Sequence, residues 1–380
     1  MIIKNGRVFD AESGFVDADI LIKEDCIEAV GNDLGNTCED LAYIDAEGLY
    51  VIPGLTDIHF HGCVGHDFCE GDDDGLALMA EYELQQGITT ICPASMTFSE
   101  ERLAQIFENA RKHDNSKGAE LVGINMEGPF ISYEKKGAQN PEFIQKPDAD
   151  MFFRLQEAAG GLIKLVDIAP EVDGAMECID KIAGDVHVSV AHTMSDYETA
   201  TKAFMYGADH VTHLYNAMPP FHHRKPGVIG AAADCEKVYV ELIGDGVHSE
   251  PATVRTTLKI YGEDRVVLIS DSMEACGMPD GEYELGGQPV IVKGNLATLY
   301  DGTIAGSATN LMDCVRVLVK KMDIPLATAI KCAAVNSAKS IGIYDKYGSI
   351  EKGKVANIVI LDSDLKLKYV IRNGEIAYKF

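Results

Sequence analysis

A short apolar run, a polar loop and a helical segment follow one another repeatedly along the chain between residues 50 and 271. The runs are rich in β-branched residues, which favour strands, and the segments between them are long enough for helices. Eight runs are visible, at residues 50–61, 87–93, 120–126, 162–169, 186–192, 208–213, 237–244 and 265–271. Strands that alternate with helices build parallel sheets, and eight such units are typical of a (β/α)8 barrel. We therefore predict an α/β fold with a (β/α)8 TIM barrel at residues 51–344.

Two of the connecting segments carry clear helix signals, at residues 99–113 and 195–206. The first begins with Ser99 as a candidate N-cap, and Glu100 and Glu101 follow it in the first turn. Both segments also have the spacing of apolar residues that an amphipathic helix requires. They support the alternation of strands and helices.

The two ends of the chain lack this alternation and have the pattern of short strands separated by turns. Such strands are predicted near residues 2–8 and 19–22 at one end, and near 356–361 and 369–371 at the other. Neither end is long enough to form a stable sheet by itself. We therefore predict that residues 1–50 and 345–380 pair into one small discontinuous β-sandwich domain. A glycine-rich stretch at 279–304 predicts a further β excursion after the eighth strand.

The chain is strongly acidic, with a formal net charge of -27 over 380 residues. Its 46% hydrophobic and 24% charged residues are ordinary for a globular protein that has one large core and a smaller companion. The negative field would repel a phosphate backbone or an anionic bilayer, so we expect neither nucleic acid nor a membrane as partner. An anionic substrate would need a few cationic groups placed locally.

The ten cysteines are scattered and form no Cys-x-x-Cys motif, which favours reduced thiols over a disulfide framework. The first residues carry no apolar segment of a signal peptide, and no stretch of about 18 apolar residues occurs. We therefore expect a cytoplasmic protein. Cys63 and Cys69 lie near a histidine pair and could be soft metal ligands, but packing as small hydrophobic side chains is the better explanation.

His59 and His61 end the first run, and a strand points alternate side chains to the same face. The two imidazoles therefore converge, which suits a divalent metal. Other runs end in residues of the same chemical type. The strand-end residues that can ligate a metal are His59, His61, Glu127, His192, His213 and Asp271.

Closure of a barrel would bring these strand ends to one rim, where they could surround one or two cations. For any one residue alone, a hydrogen-bonded core histidine or a capping carboxylate is the better explanation. Their recurrence at equivalent positions favours ligands instead. Imidazole and carboxylate without thiolate suit Zn²⁺, Fe²⁺, Mn²⁺ or Co²⁺, and such a site can ionise water near neutral pH. Asp271 could take the proton of that water and pass it to a leaving group, unless it only caps a turn.

Several longer strings of sequence carry a resemblance to a known family, and together they span nearly the whole chain. They are Pro53-Gly54-Leu55-x-Asp57-x-His59-x-His61-Gly62, Met126-Glu127-Gly128-Pro129-Phe130, Lys136-Gly137-Ala138-Gln139-Asn140, Ala191-His192-Thr193, Thr212-His213-Leu214-Tyr215-Asn216-Ala217-Met218-Pro219, Asp245-Gly246-Val247-His248 and Ala305-Gly306-Ser307. The first string resembles the amidohydrolase superfamily, and the others resemble its N-acetylglucosamine-6-phosphate deacetylase family. This resemblance implies hydrolysis of the acetamide of the sugar phosphate, which yields acetate and D-glucosamine 6-phosphate.

The resemblance also implies a set of metal ligands. Glu127, His192 and His213 would hold the main metal. His59 and His61 would complete a second site, which family members with other residues there lack, so one or two metals per subunit are expected. Asp271 would act first as a base and then as an acid toward the departing amine.

By the same resemblance, His248 and Arg224 bind the sugar phosphate, and arginine offers the bidentate fork that phosphate favours. In such enzymes this arginine can reach into the neighbouring subunit's site, which implies a homodimer. Without the motif that flanks it, an exposed basic loop would be the better explanation for Arg224. The other substrate contacts expected from the resemblance are Asn216, Ala217, Ala305, Gly306 and Ser307.

Gln139 departs from the family pattern, because many members carry a histidine there that is thought to hydrogen-bond the reacting carbonyl. Glutamine can donate the same bond but cannot titrate. We therefore expect Gln139 to bind the substrate and assist catalysis with a weaker pH dependence.

Three other functions stay open on the sequence. The substrate could be N-acetylgalactosamine 6-phosphate or another N-acyl amino sugar, because the contacts that distinguish the C4 hydroxyl are not visible in a sequence. A cyclic-amide hydrolase such as a dihydroorotase is less favoured, since those relatives usually carry a modified lysine on strand four, where this chain has only Lys164. An inactive relative is disfavoured because such proteins typically lose metal ligands.

Overall fold

The structure is a computed structural model, and it describes residues 1–34 and 41–380. Residues 35–40, which include Cys38 and belong to the predicted end domain, lie outside the described residues. In chain order, the strands of the first part are β1 (Ile2–Asp10), β2 (Gly14–Lys23), β3 (Cys26–Gly31), β4 (Tyr43–Asp45) and β5 (Tyr50–Pro53). The strands of the central part are β6 (Leu55–Asp57), β7 (Gly62–Cys63), β8 (His66–Asp67), β9 (Ile88–Ile91), β10 (Glu120–Leu121), β11 (Ile124–Met126), β12 (Ile163–Ile168), β13 (His187–Val190), β14 (His210–Val211), β15 (Tyr239–Ile243) and β16 (Val266–Ile269). The remaining strands are β17 (Gly281–Leu285), β18 (Gln288–Lys293), β19 (Leu296–Thr298), β20 (Ile358–Leu361), β21 (Leu367–Arg372) and β22 (Glu375–Lys379).

Helices occupy most of the connections between the central strands. They are α1 (Asp73–Gln85), α2 (Glu100–Lys112), α3 (Ala149–Ala158), α4 (Ala175–Ile182), α5 (Tyr197–Met205), α6 (Gly227–Asp234), α7 (Pro251–Tyr261), α8 (Leu311–Lys321), α9 (Leu326–Ile330) and α10 (Asn336–Ser340). The helix predicted at residues 99–113 is confirmed as α2, and the Ser99 hydroxyl caps it by accepting from the Arg102 amide at 3.3 Å. The helix predicted at residues 195–206 begins at Tyr197, because Asp196 is the residue that caps its first turn. None of the helices in the described ranges has the length and apolar character needed to cross a membrane.

Strands from both chain ends lie in one hydrogen-bonded sheet of order β22-β21-β20-β5-β1-β2-β3, and β4 pairs beside β1. One side of this sheet encloses its own cluster of buried aliphatic residues, among them Ile3, Ile20, Val51 and Ile358. The pairing of the two ends is therefore confirmed. The β excursion predicted after the eighth central strand is also confirmed, as the antiparallel sheet β17-β18-β19.

The first predicted run, residues 50–61, was bounded wrongly. Its first part is β5, which pairs with β20 in the end sheet, and only β6 pairs with β9 in the central part. Gly54 separates the two strands, and a Cβ atom placed on it would lie 2.1 Å from the Thr89 hydroxyl oxygen. The chain can change sheets here because this position carries no side chain.

The central strands are parallel and form two sheets, β10-β9-β6 and β11-β12-β13-β14-β15-β16. Both margins between these sheets are joined by hydrogen bonds. On one side, the Asn125 amide donates to the Pro93 carbonyl at 2.9 Å. On the other, the Asp271 amide donates to the His59 carbonyl at 2.9 Å and the His61 amide to the Ser272 carbonyl at 2.7 Å. Each predicted central run contains at least one of these strands, so the α/β alternation is confirmed.

Candidate active site

The carboxyl ends of the central strands bring together all the side chains that were predicted as metal ligands. Four of these residues follow the last residue of a strand by two positions: His59 after β6, His192 after β13, His213 after β14 and Asp271 after β16. Glu127 follows β11 directly. They form two groups that could each hold a metal ion, one of His59, His61 and Asp271 and the other of Glu127, His192 and His213. All are buried.

The group of Glu127, His192 and His213 is compact. Oε1 of Glu127 lies 3.0 Å from Nε2 of His192 and 3.1 Å from Nε2 of His213, and the two nitrogens are 3.1 Å apart. Ligands of one tetrahedral ion with bonds of about 2.0 Å are spaced by about 3.3 Å. Nδ1 of His192 donates to the Lys135 carbonyl at 2.8 Å, which leaves Nε2 with a free lone pair. The donor set therefore fits a divalent cation.

The group of His59, His61 and Asp271 is wider. Oδ1 of Asp271 lies 3.4 Å from Nε2 of His61 and 3.7 Å from Nε2 of His59. Nε2 of His59 is buried and has no hydrogen-bond partner, and a polar atom in that condition costs free energy unless something binds it. Glu127 lies between the groups, since its Oε2 is 3.4 Å from Nε2 of His61. This group also fits a cation.

Three of these residues have a left-handed backbone although they are not glycine: φ is 42° at His192, 29° at His213 and 49° at Asp271. Each such residue costs roughly 1–3 kcal/mol of strain, and strained residues cluster at functional sites. At each of these three residues the left-handed conformation turns the chain just beyond the end of a strand. It redirects each side chain toward the ligand groups.

Burial by itself would raise the pKa of Asp271 and lower the pKa of the neighbouring histidines. The hydrogen bond from His61 and the charges of His59 and His61 outweigh burial, so the pKa of Asp271 is lowered. Asp271 is therefore an ionised carboxylate near neutral pH. In that state it can accept a proton.

A cavity of about 280 Å³ opens onto the two ligand groups. The predicted substrate-binding residues that line it are Gln139, Asn216, Ala217, His248, Ala305 and Gly306. Arg224 and Ser307 are not among its lining residues. Arg224 lies on an exposed loop, with its Nη1 2.8 Å from Nε2 of His223, and the buried Ser307 donates its hydroxyl to the Ser270 carbonyl at 2.6 Å.

His248 is held by Asp245, whose Oδ2 lies 2.8 Å from Nδ1 of the ring and whose Oδ1 accepts from the His248 amide at 3.0 Å. Burial alone would lower the pKa of His248, but the hydrogen bond and charge of Asp245 raise it above the usual value for histidine. His248 thus holds its proton more readily than an ordinary histidine, on a cavity wall of a very acidic chain.

The side-chain amide of Gln139 is hydrogen-bonded to one of the predicted metal ligands. Its Nε2 donates to Oε2 of Glu127 at 2.6 Å, and its Oε1 accepts from the Thr97 amide at 2.7 Å. The amide has a second N–H, and Gln139 lines the cavity. The expected bond from Gln139 to a substrate carbonyl stays a prediction.

Two residues near the cavity were missed by the sequence interpretation. Lys135 lines the cavity, is half-buried, and takes part in none of the ion pairs within residues 1–34 and 41–380. Its position next to the string that begins at Lys136 was the only signal. Glu241 is fully buried on β15 beside His59. An acidic residue inside an otherwise apolar strand was the signal for it.

Comparison with known proteins gives a consistent result. A family model described as "Amidohydrolase family" matches residues 50–377. The N-acetylglucosamine-6-phosphate deacetylase of Bacillus subtilis (strain 168) is 39% identical over 86% of this chain and 84% of its own length. The N-acetylgalactosamine-6-phosphate deacetylase of Escherichia coli O157:H7 is 32% identical over 88% of each chain.

A solved structure supports the same relationship. It is a mutant of the N-acetyl-D-glucosamine-6-phosphate deacetylase from Mycobacterium smegmatis in complex with N-acetyl-D-glucosamine-6-phosphate, and its TM-score is 0.91 at 32% identity. The similarity covers 99% of this chain and 98% of that one. The resemblance that was based on sequence motifs is confirmed: the chain belongs to the amidohydrolase family.

Proposed function

We propose that the chain hydrolyses the acetamide of N-acetyl-D-glucosamine 6-phosphate, releasing acetate and D-glucosamine 6-phosphate. One observation carries this proposal: two groups of metal-ligand side chains, linked by Glu127, face one cavity that is also lined by His248, whose pKa is raised by Asp245. A relative at 39% identity carries the name of this activity, and a similar structure is described with this sugar phosphate.

Glu127, His192 and His213 would hold the main divalent metal, and His59, His61 and Asp271 would hold a second one. The donors are imidazole and carboxylate, which suit Zn, Fe, Mn or Co. When bound, the metal would polarise the acetamide carbonyl and lower the pKa of water so that hydroxide forms near neutral pH.

Asp271 would move the proton in this reaction. The oxygen of its ionised carboxylate that does not face His59 and His61 would take a proton from the attacking water as the new C–O bond forms. The same oxygen would then deliver that proton to the amine nitrogen as the C–N bond breaks. Gln139 would keep Glu127 in place and offer its second N–H to the carbonyl oxygen, where negative charge develops.

The phosphate of the substrate would be bound by His248, with Lys135 as a further cation on the cavity wall. Arg224 lies outside the lining of this cavity, which fits the proposal that it serves the neighbouring subunit of a homodimer. Asn216, Ala217, Ala305 and Gly306 would contact the sugar. Ser307 would act through the backbone of this loop, because its hydroxyl is already bonded to Ser270.

A second substrate has one observation in its favour, the E. coli relative named for N-acetylgalactosamine 6-phosphate. A comparison of kcat/KM on the two epimers decides between them. The dihydroorotase alternative gains nothing from the structure, since Lys164 lies near the start of β12, at the opposite end from the ligand groups.

We further propose that the joined parallel sheets form one closed (β/α)8 barrel at residues 54–344, and that the end sheet, which includes β5, is a discontinuous β-sandwich domain of residues 1–53 and 345–380. The hydrogen bonds at both sheet margins and the separate aliphatic cluster of the end sheet support this division. A cytoplasmic location is proposed from the cysteines, since nine in the described ranges are free and seven of those are buried.

The proposed function is tested by measuring acetate release from N-acetylglucosamine 6-phosphate by protein loaded separately with zinc, iron, manganese and cobalt. We expect release with at least one metal, loss after chelation and recovery on re-addition. His213→Asn should abolish release, whereas His187→Asn, which changes a histidine outside the cavity, should not. Absence of acetate with all four metals would refute the proposal.

A further inference from the structure

Glu241 is a buried carboxylate whose contacts are concentrated on the ligand groups. It lies on β15 and is fully buried. We propose that Glu241 is a positioning residue that fixes the ring of His59 so that the second metal site, formed by His59, His61 and Asp271, can be filled. This inference rests on the metal-dependent function proposed above and names the residue on which the second ion depends.

One carboxylate oxygen of Glu241 contacts residues of both ligand groups. Oε2 of Glu241 lies 2.9 Å from Nδ1 of His59 and accepts from the His213 amide at 3.1 Å. A carboxylate is an acceptor, so Nδ1 of His59 must carry the hydrogen in this pair. Nε2 then holds the free lone pair in the neutral ring, and it is the atom that is buried without a partner at the ligand group.

His59 is the ligand histidine that depends on a charged partner. Nδ1 of His61 lies 3.2 Å from the Ala94 carbonyl, and Nδ1 of His192 lies 2.8 Å from the Lys135 carbonyl. Main-chain carbonyls orient those rings whatever side chains surround them. A carboxylate orients the ring and also makes the imidazole a stronger ligand.

The other oxygen of Glu241 faces a second histidine, which is not one of the predicted metal ligands. Nε2 of His210, which is fully buried, lies 3.3 Å from Oε1 of Glu241. A buried carboxylate is tolerated more easily among polar groups, and Glu241 has the ring of His59, the His213 amide and the ring of His210 around it. Glu83 provides the contrast: it is also fully buried, but among the described residues neither of its oxygens has a hydrogen-bond partner, and burial raises its pKa well above the usual value for glutamate.

The test measures metal content and affinity in wild-type protein, Glu241→Gln, Glu241→Leu and the control Glu83→Gln. Each protein is stripped, titrated with zinc against a competing chelator, dialysed and analysed for zinc by mass spectrometry. Circular dichroism checks the fold, and acetate release by the wild type is recorded separately. Glutamine preserves an oxygen for both donors but removes the charge, whereas leucine removes both.

Wild-type protein and Glu83→Gln should bind two ions per subunit. We expect the affinity for the second ion to fall roughly 10-fold in Glu241→Gln and roughly 100-fold in Glu241→Leu, while the first ion is retained. A purely structural role would lower thermal stability without this selective loss.

Unchanged affinity for both ions in Glu241→Gln would overturn the inference, even if Glu241→Leu fails to fold. Equal loss of both ions in a folded variant would also overturn it, as would a wild type that holds a single ion. A wild type that binds two ions but releases no acetate with zinc, iron, manganese or cobalt would refute the proposed function and leave the role of Glu241 intact.

Discussion

Nε2 of Gln139 donates to Oε2 of Glu127 at 2.6 Å, while Oε1 of the same carboxylate faces Nε2 of His192 at 3.0 Å. The glutamine therefore sets the direction in which Glu127 presents its oxygens. Because Thr97 fixes the other end of the amide, the glutamine cannot swing away without loss of a second hydrogen bond.

Replacement of Gln139 tests this relationship. Gln139→Ala should lower kcat roughly 10- to 100-fold and weaken metal binding at the group of Glu127, because a partner that orients a ligand is lost. Steady-state kinetics and zinc titration measure the two effects. Gln86→Ala, at a half-buried glutamine away from the cavity, is the control. A kcat equal to that of the wild type would show that Gln139 has no catalytic part.

Asp271→Asn should reduce kcat by roughly 10²- to 10⁴-fold, the usual cost of losing a general base and acid. Acetate release at saturating substrate measures it, and zinc content shows whether the first ion remains. Asp209→Asn changes a carboxylate that pairs with His187 outside the cavity and should keep full activity. A decrease of less than about 10-fold would exclude proton transfer by Asp271.

The affinity for a phosphorylated substrate should depend on pH through His248. Its pKa is raised, so the ring is cationic below that pKa and becomes neutral as the pH rises through it. KM for the sugar phosphate should therefore increase toward alkaline pH, whereas kcat/KM for the unphosphorylated sugar should lack this change. In Asp245→Asn the increase should begin at lower pH, because the group that raises the pKa of His248 is gone. KM values of both proteins between about pH 6 and 9 provide the measurement.

Lys135→Met should raise KM for the phosphorylated substrate roughly 10-fold, the value of one charge-assisted hydrogen bond. Lys136→Met is the matched control, since its ammonium lies 3.4 Å from the Gly137 carbonyl and Lys136 is not a lining residue. Hydrolysis of the unphosphorylated sugar should not change in either variant. If Lys135→Met has the same KM as the wild type, phosphate is bound without this lysine.

Arg224 can be tested by mixing subunits. Arg224→Ala and Asp271→Asn proteins should each be nearly inactive alone, because one lacks a phosphate ligand and the other the proton carrier. If Arg224 serves the neighbouring subunit, mixed dimers contain one complete site and recover activity after co-refolding. If the arginine acts within its own chain, one site of the mixed dimer lacks Arg224 and the other lacks Asp271. Neither site is then complete, and activity is not expected to recover.

The ligand residues were predictable because strand periodicity and chain position determine where they lie. His59 and His61 share a face through simple alternation, and the loop positions of His192, His213 and Asp271 follow from the ends of apolar runs. The limits of the first run were not predictable. Position 54 requires glycine because a side chain there would collide with Thr89, which lies on another strand. Glu241 and Lys135 were missed because their local signals are weak: the contact of Glu241 with His59 joins residues that are distant in sequence, and only the fold places Lys135 on the cavity wall.

Gly54, the single residue between β5 and β6, connects the first central strand to a strand that is distant in the sequence. β5 is hydrogen-bonded to β20, and Gly54 itself donates to the Asn357 carbonyl at 2.8 Å. The strand that leads into the histidine pair is thus anchored on its amino-terminal side by residues that are distant in the sequence. A change that loosens β20 would therefore reach the position of the two imidazoles through Gly54, although β20 itself carries none of the predicted metal ligands.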